Sequence, residues 1–452
     1  MNARQAALLV MRKVEREGAY ANIALNQTLR ENVLSPQDAR LAAQIAYGAI
    51  RMQNALDYIL QRFLSKPLEQ LPDYILPVLR LSLYQLLYLD KIPPSAAVNE
   101  GVTLAKKYGG QKIGNLVNAV LRQAQRQGGL ALLPRREEDF VEYLTVTLSH
   151  PRWLVQRLTR LWPAEEAEAF CRCDNANHQV AIRCNTLRIS REELFRRLQE
   201  AGIEGEASPY APESVVIRDG SAAALQSLRQ EGLFAVQGEA SALVAHALAP
   251  RPQMQVLDMC AAPGGKSTHM AALMQNRGRI CACDIRPHKL KLIEDAAALL
   301  GITIVQPVLA DALRIDGRVL GMADGALLDA PCSGLGVLAA RADARWRKRE
   351  EDIPRLAEQG LAMLFSVADQ VRPGGRLCFS TCTVTDEENI ENVRKFLARR
   401  EDFRLTPIWG LRRMFHDPQD LRSLEQGYIQ LLPHKHHTDG FFIALLQRND
   451  HA

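Results

Sequence analysis

The sequence predicts three parts: an all-α domain at the N-terminus, a small α/β module, and a doubly wound α/β domain with a mostly parallel sheet. Three observations predict this. Apolar residues recur at helical spacing through the first ~140 residues, with few β-branched runs. Strand-like alternation begins beyond Ser149. After Ala249-Pro250-Arg251-Pro252, strand and helix patterns alternate, which yields a parallel sheet covered on both faces. A chain of 452 residues accommodates roughly three domains, each long enough to bury a core. The expected extents are 1–140, 150–237 and 238–447.

In the first part, Ser35-Pro36 opens a long helix with proline in its first turn, where its missing N–H costs nothing. Leu71-Pro72 and Pro93-Pro94 punctuate later helices. In the module, residues 180–186 alternate like a strand, 191–201 like a helix and 214–217 like a second strand. In the third part, strands are expected at 255–259, 280–284, 303–308, 326–329, 376–380 and 441–446. Helical patterns lie near 267–275, 287–300, 354–371 and 386–399. In such sheets ligands bind beyond the carboxyl ends of the strands. The chain has no internal repeat and no low-complexity tract.

Composition excludes several classes. With 47% hydrophobic and 24% charged residues the chain is ordinarily globular. No apolar run reaches the ~18 residues that a spanning helix requires. Residues Met1 to Tyr20 interrupt their apolar positions with Arg4, Arg12, Lys13, Glu15, Arg16 and Glu17, unlike an export leader. A cytoplasmic location and no membrane partner are therefore expected. Nine cysteines, an odd number in a long chain, argue against a disulfide framework and leave reduced thiols for chemistry. The net charge of +5 is carried by the first 145 residues, with 18 Lys+Arg against 13 Asp+Glu. Between Gly101 and Arg136 stand Lys106, Lys107, Lys112, Arg122, Arg126, Arg135 and Arg136, with no acidic residue among them. This reads as a phosphate-facing surface, with a plainly solvated helical face as the alternative.

The chemistry gathers in the third part. The loop Cys260-Ala261-Ala262-Pro263-Gly264-Gly265-Lys266 follows the first strand, and its glycines let the backbone turn tightly and approach a ligand such as S-adenosyl-L-methionine. Asp258, Asp284, Asp311 and Asp329 stand at or just after the ends of four strands. Asp284 lies near the spacing at which an acidic residue meets ribose hydroxyls in dinucleotide folds. One aspartate after a strand is commonly a helix cap. Four in succession point to a ligand. A phosphate-binding P-loop does not fit, because the glycine it requires five positions before Gly265 is Cys260 here.

Two cysteines follow two further strands: Cys332 in Asp329-Ala330-Pro331-Cys332-Ser333-Gly334, and Cys382 in Ser380-Thr381-Cys382-Thr383. Carbon 5 of cytosine is too weak a nucleophile to take a methyl group unaided, and a thiolate added at carbon 6 activates it. A second thiol suits removal of the carbon 5 proton afterwards. Spacing leaves open which sulfur attacks. Gly334 and Gly336 are expected to loosen the loop beyond Cys332 and make room for a base, and Pro331 to stiffen it. Cys378, Cys281 and Cys283 read as core residues, the last two on one face. Cys171 with Cys173, and His434, His436 and His437, lack structural-zinc spacing, so no metal is expected.

Taken together, Asp258 to Lys266, Asp329 to Gly334, Ser380 to Thr383 and Asp439-Gly440-Phe441-Phe442 resemble the RNA 5-methylcytosine methyltransferases of the NSUN/Fmu type over residues 150 to 447. The first 140 residues resemble the helical NusB-type RNA-binding domain, by helical pattern, Val98 to Val102 and Asn115 to Arg122. The resemblance implies a Rossmann-like methyltransferase domain. It also implies S-adenosyl-L-methionine held by Cys260, Ala261, Ala262, Pro263, Gly264, Gly265, Lys266, Asp284, Asp311 and Asp329. It makes Cys382 the nucleophile and Cys332 the residue of release. A Pro-Cys cysteine is the nucleophile in DNA cytosine methyltransferases, so having both motifs favours RNA over DNA. The domain pairing implies a cytosine of 16S ribosomal RNA as substrate, and leaves the oligomeric state open, with a monomer expected. The alternatives are another structured RNA such as tRNA, or a non-catalytic RNA-binding or antitermination factor.

Overall fold

The computed structural model describes residues 1–176, 179–315 and 321–450. The chain forms two compact units. One contains Met1–Ala176 and a segment from far along the chain, Leu338–Glu350; the rest forms the other.

The first unit is helical, as the apolar spacing predicts. Its helices include Ala3–Arg16, Ala21–Glu31, Pro36–Arg51, Gln53–Gln61, Ile75–Tyr88 and Pro94–Arg126. They bury Leu8, Met11, Ile45, Leu56, Ile59, Val78, Val98 and Leu121 in one core. Ser35 caps the third helix by accepting from the Asp38 N–H, with Pro36 in the first turn. Such a cap contributes about 1 kcal/mol. Pro94 likewise begins its helix, which kinks where Gly110 adopts φ 73°.

The segment Leu338–Glu350 is built into this unit. Ala342 lies in the helical core. Trp346 donates its indole N–H to Ile50 O at 2.7 Å. Arg345, fully buried, donates to Ser149 O at 3.1 Å, Asp174 O at 3.0 Å and Asn175 Oδ1 at 2.8 Å. Removing it leaves buried acceptors without donors. Arg345→Ala is expected to destabilise the protein by about 3 kcal/mol, read as a lowered urea midpoint at unchanged slope.

The second unit begins with an antiparallel four-stranded sheet, in the order β2-β3-β1-β4. Its strands are β1 (Val180–Cys184), β2 (Glu204–Ala207), β3 (Ser214–Asp219) and β4 (Phe234–Val236). Ile182, Val215 and Phe234 share a core with Leu194 and Leu198 of the helix Arg191–Glu200 and Leu228 of Ala222–Gln230. β2 and β4 escaped the sequence pattern because they span only four and three residues.

The larger sheet comprises β5 (Gln255–Met259), β6 (Arg279–Asp284), β7 (Val305–Leu309), β8 (Ala323–Asp329), β9 (Val371–Thr381), β10 (Phe403–Leu405), β11 (Tyr428–Leu431) and β12 (Phe441–Arg448). Its order is β10-β12-β9-β8-β5-β6-β7, with β11 pairing with β12. β5 through β9 are parallel, and β12 returns antiparallel along β9. β9 starts five residues before its predicted position, because Pro373-Gly374-Gly375 reads as a turn. Helices cover both faces. One core joins Leu257, Met259, Cys281, Cys283, Phe379 and Phe442. The other joins Leu243, Met270, Ile293, Leu327 and Cys378. Strand order reverses between β5 and β8, which fixes the place where ligands bind in such sheets. The loops after β5, β8 and β9 meet there.

Candidate active site

β5 ends in Asp258 and Met259, and Cys260 then turns the chain with φ 61°. Ala261 N–H donates to Cys283 O at 2.8 Å, and Gly264 N–H to Ala261 O at 2.8 Å, closing the loop against β6. Gly264 adopts φ 100° and precedes the helix Gly265–Leu273, which has no side-chain cap at its start. A Cβ on Gly264 would come within 3.2 Å of Ile293 Cα, whereas the nearest atom to one on Gly265 is 3.9 Å away. Gly264 is thus required by backbone shape, and Gly265 leaves the uncapped helix start accessible, a ready anion and backbone site. Asp258 is fully buried, and Ser267 Oγ donates to its Oδ2 at 2.5 Å while Oδ1 has no partner. Burial pushes its pKa up to about 7 against the Ser267 bond.

Asp284 ends β6, accepts from Arg286 N–H at 3.0 Å and faces Lys289 at 3.5 Å. Asp311 lies in the loop after β7, where it accepts from Leu313 N–H at 2.9 Å. Asp329 ends β8 and joins two strands to the loop: Lys266 Nζ donates to Oδ2 at 2.7 Å and Ser380 Oγ to Oδ1 at 2.8 Å. Burial opposes the Lys266 charge, but Asp329, and then Cys382 and Asp258, raise its pKa above the lysine value. The ammonium also stands 5.1 Å from the Phe441 ring centre.

Fifty residues apart in sequence, Cys332 and Cys382 come together with their sulfurs 3.3 Å apart. The Cys382 N–H donates to Cys332 Sγ at 3.3 Å. The Cys332 thiol is held well above its ordinary pKa by its hydrogen bond to Cys382, by burial, and by the charges of Cys382, Glu388 and Asp329. Beyond Cys332 the loop is not loose, contrary to expectation. Gly336 N–H donates to Cys382 O at 3.0 Å and Gly440 N–H to Gly336 O at 2.7 Å. A Cβ on Gly336 would stand 2.0 Å from Gly440 O, so the glycine serves close backbone packing.

Several site neighbours were not anticipated. Ser333 and Thr383, each immediately after a cysteine, hydrogen-bond at 2.7 Å and share the buried carboxylate of Glu388. Asn389 Nδ2 donates to Thr383 O at 3.1 Å. Elsewhere in the second unit, Glu213, His246 and His269 gather their ligating atoms within 4.8 Å of one another. His246 Nε2 lies 3.0 and 3.1 Å from the two Glu213 oxygens, and His269 contacts the same carboxylate. Burial, helped by the Arg183 charge, lowers His269 to about 4. The cluster thus brings Glu213 of the module against two helices of the large domain, with hydrogen bonding between His246 and Glu213. His436 meets Asp420 at 3.3 Å. Of the basic residues from Lys106 to Arg136, Arg136 is paired with Glu168 at 2.7 Å, while the three lysines are exposed.

Family models match along the chain: the NusB family at residues 1–126, a ferredoxin-like domain of RsmF/B-like methyltransferases at 150–224, and the 16S rRNA methyltransferase RsmB/F at 245–447. The probable ribosomal RNA small subunit methyltransferase B of Bacillus subtilis is 38% identical over 99% of both chains. The chain belongs to the RsmB/F family of 16S rRNA methyltransferases. A Klebsiella pneumoniae ribosomal RNA small subunit methyltransferase B is 32% identical over 98% of this chain and 96% of its own. Among solved structures, PH0851 covers 99% of this chain and 98% of its own with a TM-score of 0.82 at 29% identity. NSun6 from Pyrococcus horikoshii with SFG covers 66% of this chain and 98% of its own, with a TM-score of 0.57 at 26% identity. Membership of RsmB/F makes this chain a ribosomal RNA methyltransferase and sets aside a non-catalytic role. Among the described residues no helix is long and apolar enough to cross a membrane.

Proposed function

We propose that this enzyme methylates carbon 5 of a cytosine in 16S ribosomal RNA, with Cys382 bonded to carbon 6 of the flipped base and Cys332 completing release. The observation that carries the reading is the 3.3 Å approach of the two sulfurs at the switch point of the sheet, beside the Lys266–Asp329 pair. S-adenosyl-L-methionine would supply an electrophilic methyl group there. The open face of Gly265, the uncapped helix start and the unpartnered oxygen of Asp258 fit such a ligand. The backbone from Cys260 to Lys266 would hold it, with Asp284 toward the ribose and Asp311 and Asp329 at the adjoining strand ends.

The surroundings of the two sulfurs support different roles. The charge of Cys382 is among the causes that raise Lys266, and a Cys382 thiolate is the form that adds to carbon 6 and makes carbon 5 enamine-like. Glu388 and Asp329 act on Cys332 and keep its proton on. Once the Cys382 sulfur is bonded to carbon, its hydrogen bond and its negative charge no longer act on Cys332. Cys332 then becomes more acidic at the stage where a base is needed. Once its own proton has passed to solvent, the Cys332 thiolate takes the proton from carbon 5, and the released electron pair re-forms the ring double bond and expels the Cys382 thiolate. The base must leave its stack to reach this point, as base-modifying chemistry requires. Lys106, Lys107 and Lys112 of the helical unit are suited to phosphate contacts.

The test is product analysis of 16S rRNA from cells with and without the protein. One cytosine is expected to lose its 5-methyl group in the deletion strain. An unchanged set of methylcytosines, or loss of a methyl from another base, would overturn the reading.

A further inference from the structure

We infer that Glu388 is a positioning residue that holds the Cys332 loop and the Cys382 loop in register. Its carboxylate is 2% exposed and accepts from both loops. The Ser333 N–H donates to Oε1 at 2.6 Å, and Ser333 Oγ to Oε2 at 2.6 Å. Thr385 Oγ1 also donates to Oε2 at 2.6 Å, and Thr383 Oγ1 lies 3.4 Å from the same oxygen. The single hydroxyl proton of Ser333 goes to the carboxylate, so in the 2.7 Å contact between Ser333 and Thr383 it is Thr383 that donates. Each catalytic cysteine is therefore followed by a hydroxyl residue, the two hydroxyls are bonded to each other, and one anion anchors both. All of these groups are buried: Ser333 is 1% exposed, Thr383 0% and Thr385 2%.

The geometry explains why the carboxylate sits here. Ionised oxygens make the shortest and strongest acceptors, and a carboxylate offers about four lone-pair sites, of which the Ser333 N–H, the Ser333 hydroxyl and the Thr385 hydroxyl take three. Cys332 lies on a loop leaving β8 and Cys382 on a loop leaving β9, and β-strand pairing ends at Asp329 with Ser380. Beyond that pair regular pairing gives way to single bonds, Ala330 N–H to Ser380 O at 2.9 Å and Gly336 N–H to Cys382 O at 3.0 Å. The Glu388 clamp adds three bonds across the two loops where the ladder stops. Its charge also adds to those that keep Cys332 protonated before attack, so position and proton state depend on one group.

This inference rests on the covalent cysteine reading, so the test separates the two. Full-length wild type, Glu388→Gln, Ser333→Ala, Thr383→Val and Thr383→Ser are compared with RNA carrying cytidine or 5-fluorocytidine. Methylation rate, cofactor binding and denaturation-resistant RNA adduct are read for each. Glu388→Gln is expected to lower kcat about 10²-fold, the scale of a 1 Å misplacement, with KM and cofactor affinity held within ~3-fold. With ordinary cytidine it is also expected to accumulate the covalent adduct, because attack by Cys382 survives better than release. Ser333→Ala and Thr383→Val should show the same adduct in weaker form, and Thr383→Ser, which keeps the hydroxyl, should recover turnover. If Glu388→Gln fails to fold, the adduct with Ser333→Ala decides alone. Wild-type turnover in Glu388→Gln, or lost turnover with no adduct and parallel loss of cofactor binding, overturns the positioning role. If wild type gives no adduct even with 5-fluorocytidine, the cysteine mechanism itself fails, and the role of Glu388 falls with it.

Discussion

Cys382→Ala is expected to abolish methyl transfer, lowering turnover by roughly 10⁴-fold or more, because it removes the sulfur that activates carbon 5. The sulfur it removes stands 3.3 Å from Cys332 and is the one sensed by the Lys266 ammonium. Cofactor binding should survive, since the loop Cys260 to Lys266 is held by β5, β6 and its own helix. A calorimetric titration with S-adenosyl-L-methionine alongside a tritium-transfer assay separates the two effects. No covalent RNA adduct should form with this variant. Full turnover in Cys382→Ala would contradict the assignment.

Cys332→Ala should behave in the opposite way. Attack by Cys382 still occurs, but the carbon 5 proton has no base, so turnover falls about 10³-fold and the enzyme remains bonded to its RNA. The adduct is expected to persist through denaturing electrophoresis and to disappear in the double variant lacking Cys382. Ser333 and Glu388 remain in place in this variant, so the nucleophile keeps its position. A Cys332→Ala enzyme that turns over normally would require another base.

Much of this site was legible in the sequence because its parts sit on short contiguous motifs. Asp258, Asp284 and Asp329 each end a parallel strand, and alternating strands and helices predict that such ends converge. The two cysteine motifs stand out by composition, and the resemblance selected Cys382 as nucleophile where spacing left the choice open. The clamp was not legible, because Ser333 and Glu388 are 55 residues apart and a glutamate in Asp386-Glu387-Glu388 looks like one charge among several. Gly336 was misread for a related reason. A glycine signals either freedom or close approach, and only its contact with Gly440 decides which. Arg345 stands in the Arg-rich stretch Arg341 to Arg349, and only the fold shows that its guanidinium is buried among carbonyls of the helical unit. Short strands such as β10 and β11 carry too few residues for a period to emerge.

The mechanism turns on Cys382, and not Cys332, bonding to the base. Wild-type enzyme trapped on RNA containing 5-fluorocytidine, digested and sequenced by mass spectrometry, reports the bonded residue directly. The modified nucleotide is expected on the peptide bearing Ser380-Thr381-Cys382-Thr383. Its appearance on the peptide bearing Pro331-Cys332-Ser333 would contradict the account.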